Sequence, residues 1–119
     1  MEKQLNKSIL ITGCSTGIGA ALVTEFLKQG FLVFGSIRDK KMEVLLKKKY
    51  GDNFVPLLFD VTNYSQISKA YKKVKLILKG ANLDILINNA GIAKLGPVEH
   101  ISSEEFELHL KTMVLGTFN

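Results

Sequence analysis

SILITGCSTGIG, residues 8–19, carries a strongly β-forming run directly into a glycine-rich turn. The run from Ser8 to Thr12 is typical of a buried strand, and the stretch from Gly17 to Gln29 places apolar residues at helical spacing. Gly30 follows this helical pattern, as expected of a residue that ends a helix in the left-handed conformation. A second β-forming run, Phe31 to Ser36, comes next. The sequence therefore predicts a strand, a helix and a second strand.

The same alternation continues along the chain. The predicted elements are a helix from about Lys40 to Lys49, a strand from Phe54 to Phe59, a helix from about Ser65 to Leu78 that is ended by Gly80, and a strand from Asp84 to Asn88. Strands that alternate with helices form parallel sheets, and right-handed crossovers give the strand order 3-2-1-4. The predicted fold class is α/β, a doubly wound Rossmann-type parallel sheet in three layers, α/β/α.

One more helix follows the fourth strand. Ser102 and Glu105 have the spacing of a capping box and open a helix that includes Leu110. The chain of 119 residues is long enough for one domain. We expect residues 1–119 to form a single Rossmann domain, truncated at its C-terminus, whose apolar fourth strand is an open edge.

The glycine-rich turn has the composition of a phosphate-binding loop. Gly13 suits the tight turn after the strand, Gly17 lets the backbone approach a pyrophosphate, and Gly19 permits close packing of helix on strand. Ser15 and Thr16 add hydroxyl donors, and the start of the helix offers unpaired N–H groups to an anion. No lysine follows the last glycine, which disfavours phosphoryl transfer. The alternative is that the glycines only form a turn.

Three motifs in this order resemble the short-chain dehydrogenase/reductase family. They are the Thr-Gly-x-x-x-Gly-Ile-Gly loop of residues 12–19, Asp60-Val61-Thr62 after the third strand, and Asn88-Asn89-Ala90-Gly91 after the fourth. The resemblance covers essentially the whole chain and corresponds to the N-terminal part of a full-length member. It implies that Asp60 lies against the adenine of a nicotinamide dinucleotide, that Asn88 and Gly91 border this cofactor, and that the Asn-Asn-Ala-Gly turn steadies the sheet.

The loop and the resemblance together give a set of residues predicted to bind a nicotinamide dinucleotide. This set consists of Gly13, Ser15, Thr16, Gly17, Ile18, Gly19, Arg38, Asp60, Val61, Asn88, Ala90 and Gly91. Alternative interpretations remain for some of them. Asp60 has the residue type of a helix cap, and the two asparagines are also common turn residues.

Arg38 stands at the end of the second strand, 19 residues after Gly19. An arginine at this point can make a charge-assisted contact with the additional phosphate of NADP, whereas an acid would accept hydrogen bonds from the ribose of NAD. Asp39 is interpreted as the cap of the following helix rather than as a ribose ligand. The sequence therefore favours NADP(H), with NAD as the less favoured cofactor.

The resemblance also implies a catalytic set that this chain does not contain. Family members use a serine and a Tyr-x-x-x-Lys motif to move the proton that accompanies hydride transfer. Tyr71 and Lys75 match this spacing, but one turn of helix brings any such pair together, so we interpret them as a surface pair. Met113 occupies the position where members usually have an asparagine. We therefore predict no catalytic residue and expect the chain alone to be inactive.

Composition narrows the remaining function classes. The single cysteine, Cys14, cannot form an internal disulfide and lacks companions at the spacing of metal ligands, so we expect no metal and a cytoplasmic location. The net charge of +5 comes from lysines in helical stretches without a nucleic-acid-binding motif. The apolar run Ile9 to Ile11 is too short to span a membrane. No nucleic-acid or membrane partner is expected.

The function implied by the resemblance is hydride transfer between NADP(H) and an alcohol/carbonyl substrate, with this chain supplying the cofactor-binding half. A small-molecule substrate is expected only if the chain continues, and the last helix is the expected surface for a homo-oligomer. Two alternatives remain. One is a non-catalytic nucleotide-binding or interaction module, and the other is a truncated relic that folds poorly because its fourth strand lacks a neighbour.

Overall fold

The computed structural model describes residues 7–119, so residues 1–6 of the predicted domain lie outside the described part. Its elements are β1 (Ser8–Ile11), α1 (Gly17–Lys28), β2 (Leu32–Ile37), α2 (Lys40–Tyr50), β3 (Phe54–Leu58), α3 (Tyr64–Leu78), β4 (Ile85–Ile87), a 3₁₀ turn (Val98–His100) and α4 (Ser103–Leu110). The last helix continues through a π-helical segment (Lys111–Leu115) into a final α-helical turn (Gly116–Phe118).

The four strands form one parallel sheet in the order β3-β2-β1-β4. In the register of the sheet Ile9 of β1 lies between Val33 of β2 and Ile85 of β4. This order confirms the prediction from right-handed crossovers. Because the strands are parallel, the carboxyl ends of β1, β2 and β3 lie on the same side of the sheet, where the loops to the following helices begin.

Helices cover the sheet on two faces and create two apolar clusters. Ile9 and Val33 pack on one face with Leu46 of α2 and with apolar residues of α1. Phe34 packs on the opposite face with Val74 of α3. Neighbouring residues of a strand point to opposite faces, so the near-continuous apolar run of β2 serves both clusters. The predicted three-layer arrangement is confirmed.

The structure corrects several predicted details. β4 is shorter than the predicted Asp84 to Asn88, and its Leu86 remains 56% exposed. α3 begins one residue earlier than predicted and is closed by Lys79 in the left-handed conformation, with φ of 49°, before Gly80. The other predicted strands and helices shift by one residue at one or both ends.

The β3 edge of the sheet is covered by polar groups. Lys47 of α2 donates to the Phe54 carbonyl at 2.8 Å, and Lys73 of α3 donates to the Pro56 carbonyl at 3.0 Å. Pro56 has no backbone N–H to offer to a further strand. Charged side chains and proline are common means of protecting an edge strand from pairing. The β4 edge carries the exposed Leu86 instead.

The last helix begins as predicted and leaves much of its apolar surface accessible. Ser102 and Glu105 form both hydrogen bonds of a capping box. Phe106 and Phe118 are 58% and 88% exposed. The end of the helix contacts the loop after β3, where Asn119 donates to the Val61 carbonyl at 3.1 Å. Within residues 7–119, no helix has both the length and the apolar character needed to cross a bilayer.

A substitution at Gly35, in the middle of β2, tests how tightly the sheet packs at this point. A Cβ atom added there would lie 2.6 Å from the Phe54 ring and 3.0 Å from the Cys14 sulfur. We expect Gly35→Ala to lower the free energy of unfolding by about 1–3 kcal/mol through overpacking, as measured by denaturant titration. Gly96→Ala is the control, because no atom lies within 4 Å of its added Cβ. Equal stability of the two variants would contradict this prediction.

Candidate functional site

A groove of about 270 Å³ opens at the carboxyl ends of the strands. It is lined by the glycine-rich turn, the ends of β2 and β3, the turn after β4 and one face of the last helix. Eight residues of the predicted set line it, namely Gly13, Ser15, Thr16, Arg38, Asp60, Val61, Ala90 and Gly91. Gly17, Ile18, Gly19 and Asn88 do not line it. In doubly wound sheets this crevice is the usual place for a ligand.

The glycine-rich turn is fixed on one side by Ser36 of β2. The Ser36 hydroxyl accepts a hydrogen bond from the Gly13 amide at 2.9 Å. The Ser36 backbone carbonyl accepts one from the Cys14 amide, also at 2.9 Å. Gly13 itself has a φ of 71°, which side chains other than glycine rarely adopt. Ser36 lines the groove but was absent from the predicted set. Its only sequence signal is a polar residue in an otherwise apolar strand.

Cys14 faces away from the groove. Its side chain is fully buried, and its thiol donates to the Ile11 carbonyl at 3.0 Å. Burial raises the pKa of this thiol to about 12, despite the opposing effect of a hydrogen bond with the Ser36 backbone. A thiol that stays protonated is a poor nucleophile. Cys14 is therefore a packing residue beneath the turn.

The start of α1 lies at the rim of the groove. A Cβ on Gly19 would lie 2.0 Å from the Gly13 carbonyl oxygen, so only glycine allows the helix to approach the turn this closely. Gly17 has open space around it, with no atom within 4 Å of an added Cβ. Thr16 makes no side-chain capping bond, and Ile18 is 73% exposed. The first turn of α1 therefore has no side-chain cap from Thr16 for its backbone amides.

The turn after β4 is bonded directly to the end of β1. Thr12 Oγ1 accepts hydrogen bonds from the amides of Asn89 at 3.0 Å and Ala90 at 2.8 Å. The Asn89 side-chain amide donates to the Thr12 and Gly13 carbonyls, both at 3.0 Å. This is the steadying role that the resemblance implies for the Asn-Asn-Ala-Gly turn. Asn89 performs it, whereas Asn88 is exposed.

Asp39 and Asp60 have different roles at the ends of β2 and β3. Asp39 caps α2 by accepting from the Lys41 amide at 2.9 Å, which confirms its interpretation as a cap. Asp60 does not cap the next helix, because Asn63 caps α3 through the Gln66 amide. The alternative interpretation of Asp60 as a cap is therefore wrong.

Asp60 and Arg38 form an ion pair in the wall of the groove. Arg38 Nη1 lies 3.9 Å from Asp60 Oδ2, and the Arg38 side chain is 73% exposed. Asp60 Oδ1 accepts from the Thr62 amide at 2.8 Å and from its hydroxyl at 2.7 Å. Partial burial raises the pKa of Asp60, but the Thr62 hydrogen bonds and the Arg38 charge together outweigh burial and lower it. Asp60 is therefore a fixed anionic group.

The last helix supplies the far wall of the groove. Thr112, in the π-helical segment, is buried and lines the groove together with Leu108. Met113 lies against Gly91, where an added Cβ would be 2.9 Å from the methionine sulfur. Thr112 was not predicted, because this contact depends on how the helix docks. π-Helical turns occur frequently at functional sites.

The loop after β4 is held against the last helix. The Lys94 amide donates to His109 Nε2 at 3.1 Å, and the other ring nitrogen of His109 lies 2.8 Å from the Glu105 carbonyl. The Lys94 side chain also pairs with the Glu105 carboxylate. These contacts give His109 a structural role, because both of its nitrogens are engaged by backbone groups.

Tyr71 and Lys75 form a surface pair on α3. The Lys75 ammonium lies 5.6 Å from the centre of the Tyr71 ring, which is a cation–π geometry, and Tyr71 is 61% exposed. Neither residue lines the groove. This confirms the interpretation of Tyr71 and Lys75 as a surface pair on the helix.

Comparison with known proteins assigns the chain to a family. The family model of the short chain dehydrogenases matches residues 7–119. The chain belongs to this family. The chain is 37% identical, over 91% of its length, to an NADPH-dependent 3-dehydrocapnine reductase of Ornithobacterium rhinotracheale. It is 31% identical, over 97% of its length, to a serine 3-dehydrogenase of Agrobacterium fabrum.

Solved structures of short-chain dehydrogenases share this fold. A 3-ketoacyl-(acyl-carrier-protein) reductase from Brucella melitensis, complexed with NADH, is similar with a TM-score of 0.86 and 29% identity over 94% of this chain and 46% of that one. An NADPH-bound carbonyl reductase from chicken fatty liver has a TM-score of 0.84 and 30% identity over 93% and 44%. The chain spans 38% and 46% of the two curated relatives.

Thr12 provides a test of the bonds between β1 and the turn after β4. Thr12→Val removes the oxygen that accepts from the Asn89 and Ala90 amides, so we expect a loss of about 2 kcal/mol in the free energy of unfolding. Thr12→Ser keeps this acceptor, and we expect it to lose about 1 kcal/mol for the missing methyl group. Both values are measurable by denaturant titration. A Thr12→Val variant as stable as the wild type would mean that the hydroxyl contributes nothing.

The lowered pKa of Asp60 predicts a specific pH dependence of stability. A carboxyl whose pKa is lower in the folded chain stabilises the fold at pH values above its ordinary value of 3.8. This contribution is lost as the pH falls through the lowered pKa. We therefore expect the stability difference between the wild type and Asp60→Asn to be constant near neutral pH and to shrink in acid.

Thr62→Val is the matched variant for this experiment. It removes the hydroxyl that donates to Asp60 Oδ1 and leaves the carboxyl in place. Its unfolding free energy should show a weaker acid dependence than that of the wild type, because one of the groups that lower the Asp60 pKa is gone. A stability difference between wild type and Asp60→Asn that does not change with pH would refute the assignment.

Proposed function

We propose that this chain binds NADP(H) and forms the cofactor-binding part of an oxidoreductase that transfers hydride between NADP(H) and an alcohol/carbonyl substrate. The observation that carries the proposal is the position of Arg38, an exposed guanidinium at the end of β2 that lines the same groove as the glycine-rich turn. Two similar proteins support the proposal. The 3-dehydrocapnine reductase is NADPH-dependent, and the chicken carbonyl reductase has NADPH bound.

The residues that line the groove and those next to it fit a dinucleotide in chemical type. The open backbone at Gly17 and the amides at the start of α1 suit a pyrophosphate. Arg38 suits a phosphate on the adenosine ribose, and Asp60 and Val61 suit the adenine. The phosphates of the dinucleotide would also lie near Ser15, Thr16, Ile18 and Gly19. Its nicotinamide end would be bordered by Asn88, Ala90 and Gly91. When bound, the nicotinamide would supply or accept the hydride.

NADP(H) is preferred over NAD(H) in this proposal for two reasons. Arg38 carries a positive charge that the phosphate of NADP can contact bidentately. Asp39, the nearest acid in sequence, is already engaged with the Lys41 amide as a helix cap, so it is less available to a ribose. The NADH complex of the Brucella reductase is the observation that keeps NAD(H) as the alternative cofactor.

The proposed domain is residues 1–119, a single dinucleotide-binding portion of a larger active unit. Among the described residues 7–119, no Tyr-x-x-x-Lys motif lines the groove, so we propose that these 119 residues alone do not turn over substrate. Substrate contacts, a homo-oligomer formed through the last helix and the cytoplasmic location stay predictions.

A second candidate is a non-catalytic nucleotide-binding or interaction module. It is favoured by Met113, whose thioether cannot replace the donor and acceptor groups of the asparagine usual in the family. Turnover by a longer form of the chain with NADPH and a carbonyl compound would argue against this candidate. Binding of NADPH without turnover by any such form would favour it.

Arg38 provides the test of the proposed cofactor. We expect the chain to bind NADPH at least about tenfold more tightly than NADH in isothermal titration, since a hydrogen bond to a charged group contributes about 1.5–3 kcal/mol. Arg38→Asp should abolish this preference. Lys72→Asp, with the same change of charge on α3, should retain it. A preference for NADPH that survives Arg38→Asp would refute the assignment of Arg38.

A further inference from the structure

Asp60 is the most firmly held charged group in the groove. One carboxylate oxygen, Oδ1, accepts two hydrogen bonds from Thr62, and the backbone amide of Asp60 donates to the Gln66 side chain at 2.8 Å. The other oxygen, Oδ2, is the one that lies 3.9 Å from Arg38 Nη1. The chain therefore fixes this carboxylate in an orientation that directs its second oxygen at the guanidinium.

Arg38 is much less constrained by its surroundings. Its side chain is 73% exposed, and Asp60 is its ion-pair partner among the described residues. A long flexible side chain in solvent loses conformational freedom when it binds a ligand, and a partner that already restricts it reduces this loss. The orientation of Arg38 in the groove therefore depends on Asp60.

We infer that Asp60 is a positioning residue for Arg38 and thereby determines the preference for NADP(H) over NAD(H). This inference rests on the proposed function. A guanidinium has five N–H donors in a planar fork, so it can contact Asp60 with one edge and a ribose phosphate with another. The guanidinium lies between the two anions in this arrangement and offsets their mutual repulsion.

The inferred role differs from a contact with adenine. The adenine is common to both dinucleotides, so a carboxylate that acts only on adenine changes the affinities for NADPH and NADH by the same factor. A carboxylate that acts through Arg38 changes only the affinity for the dinucleotide with the additional phosphate. The ratio of the two affinities separates these roles, and a general loss of folded structure does not imitate it.

The experiment is a double-mutant cycle on the full chain. Asp60→Asn, Arg38→Gln and the double variant are titrated with NADPH and NADH by calorimetry. Asparagine keeps an oxygen that can accept from Thr62 but removes the charge. We expect Asp60→Asn to lower the NADPH-to-NADH affinity ratio about fivefold when Arg38 is present and to leave the ratio unchanged when residue 38 is glutamine.

Two further variants sharpen the test. Thr62→Val loosens Asp60 without changing any charge, and it should lower the ratio by a smaller factor. Asp39→Asn removes a carboxylate next to Arg38 in sequence that caps α2 instead of pairing with the guanidinium. Asparagine is also a good cap, so this control should not lower the ratio. If Asp60→Asn does not fold, the Thr62→Val ratio decides the question in the same way.

The outcomes separate the inference from the proposed function. An Asp60→Asn variant that weakens both dinucleotides equally, or one that raises the NADPH-to-NADH ratio, would overturn the positioning role while leaving the proposed cofactor intact. An Arg38→Gln variant with an unchanged ratio would overturn the preference for NADP(H) itself, and the positioning role with it. A ratio that falls only in the presence of Arg38 supports both.

Discussion

The hydrogen bonds that join Thr12 and Gly13 to Asn89 and Ala90 are the interaction on which the rest of the structure depends. They join the end of β1 to the turn after β4 with four bonds of 2.8 to 3.0 Å. The Asn89 amide also lies where a side chain on Gly19 would be, 2.7 Å from an added Cβ. The same contact therefore fixes the turn, the neighbouring strand and the closest approach of α1.

A second anchor, Ser36, completes this arrangement from the opposite side. Ser36 and Asn89 bind the inner amides and carbonyls of the turn, whereas the amides at the start of α1 have no side-chain cap from Thr16. The side of the groove next to the turn is thus formed from backbone groups held by the buried Ser36 and the half-buried Asn89. Such a site needs little reorganisation to receive an anion, since its backbone is already held in place.

The sequence predicted the parts of the fold that depend on local pattern. Glycine spacing, helical periodicity and right-handed crossovers were sufficient for the strand order, the three layers and the turn at Gly13. Contacts between distant segments left no such pattern. Nothing in the local sequence distinguishes Asn89 from Asn88. Asn63 and Asp60 are both residue types that cap helices. The position of Thr112 in the groove depends on how the last helix docks. The pairing of Arg38 with Asp60 likewise joins two strands.

The two edge strands of the sheet differ in how they are covered, and this difference bears on where a further strand can pair. Lysine ammonium groups and a proline cover the β3 side, whereas β4 is the other edge strand of the described sheet and carries the exposed Leu86. The β4 side is therefore the one more open to a further parallel strand. The carboxyl end of such a strand arrives next to Ala90 and Gly91, so any residue it contributes reaches the groove from the side opposite Arg38.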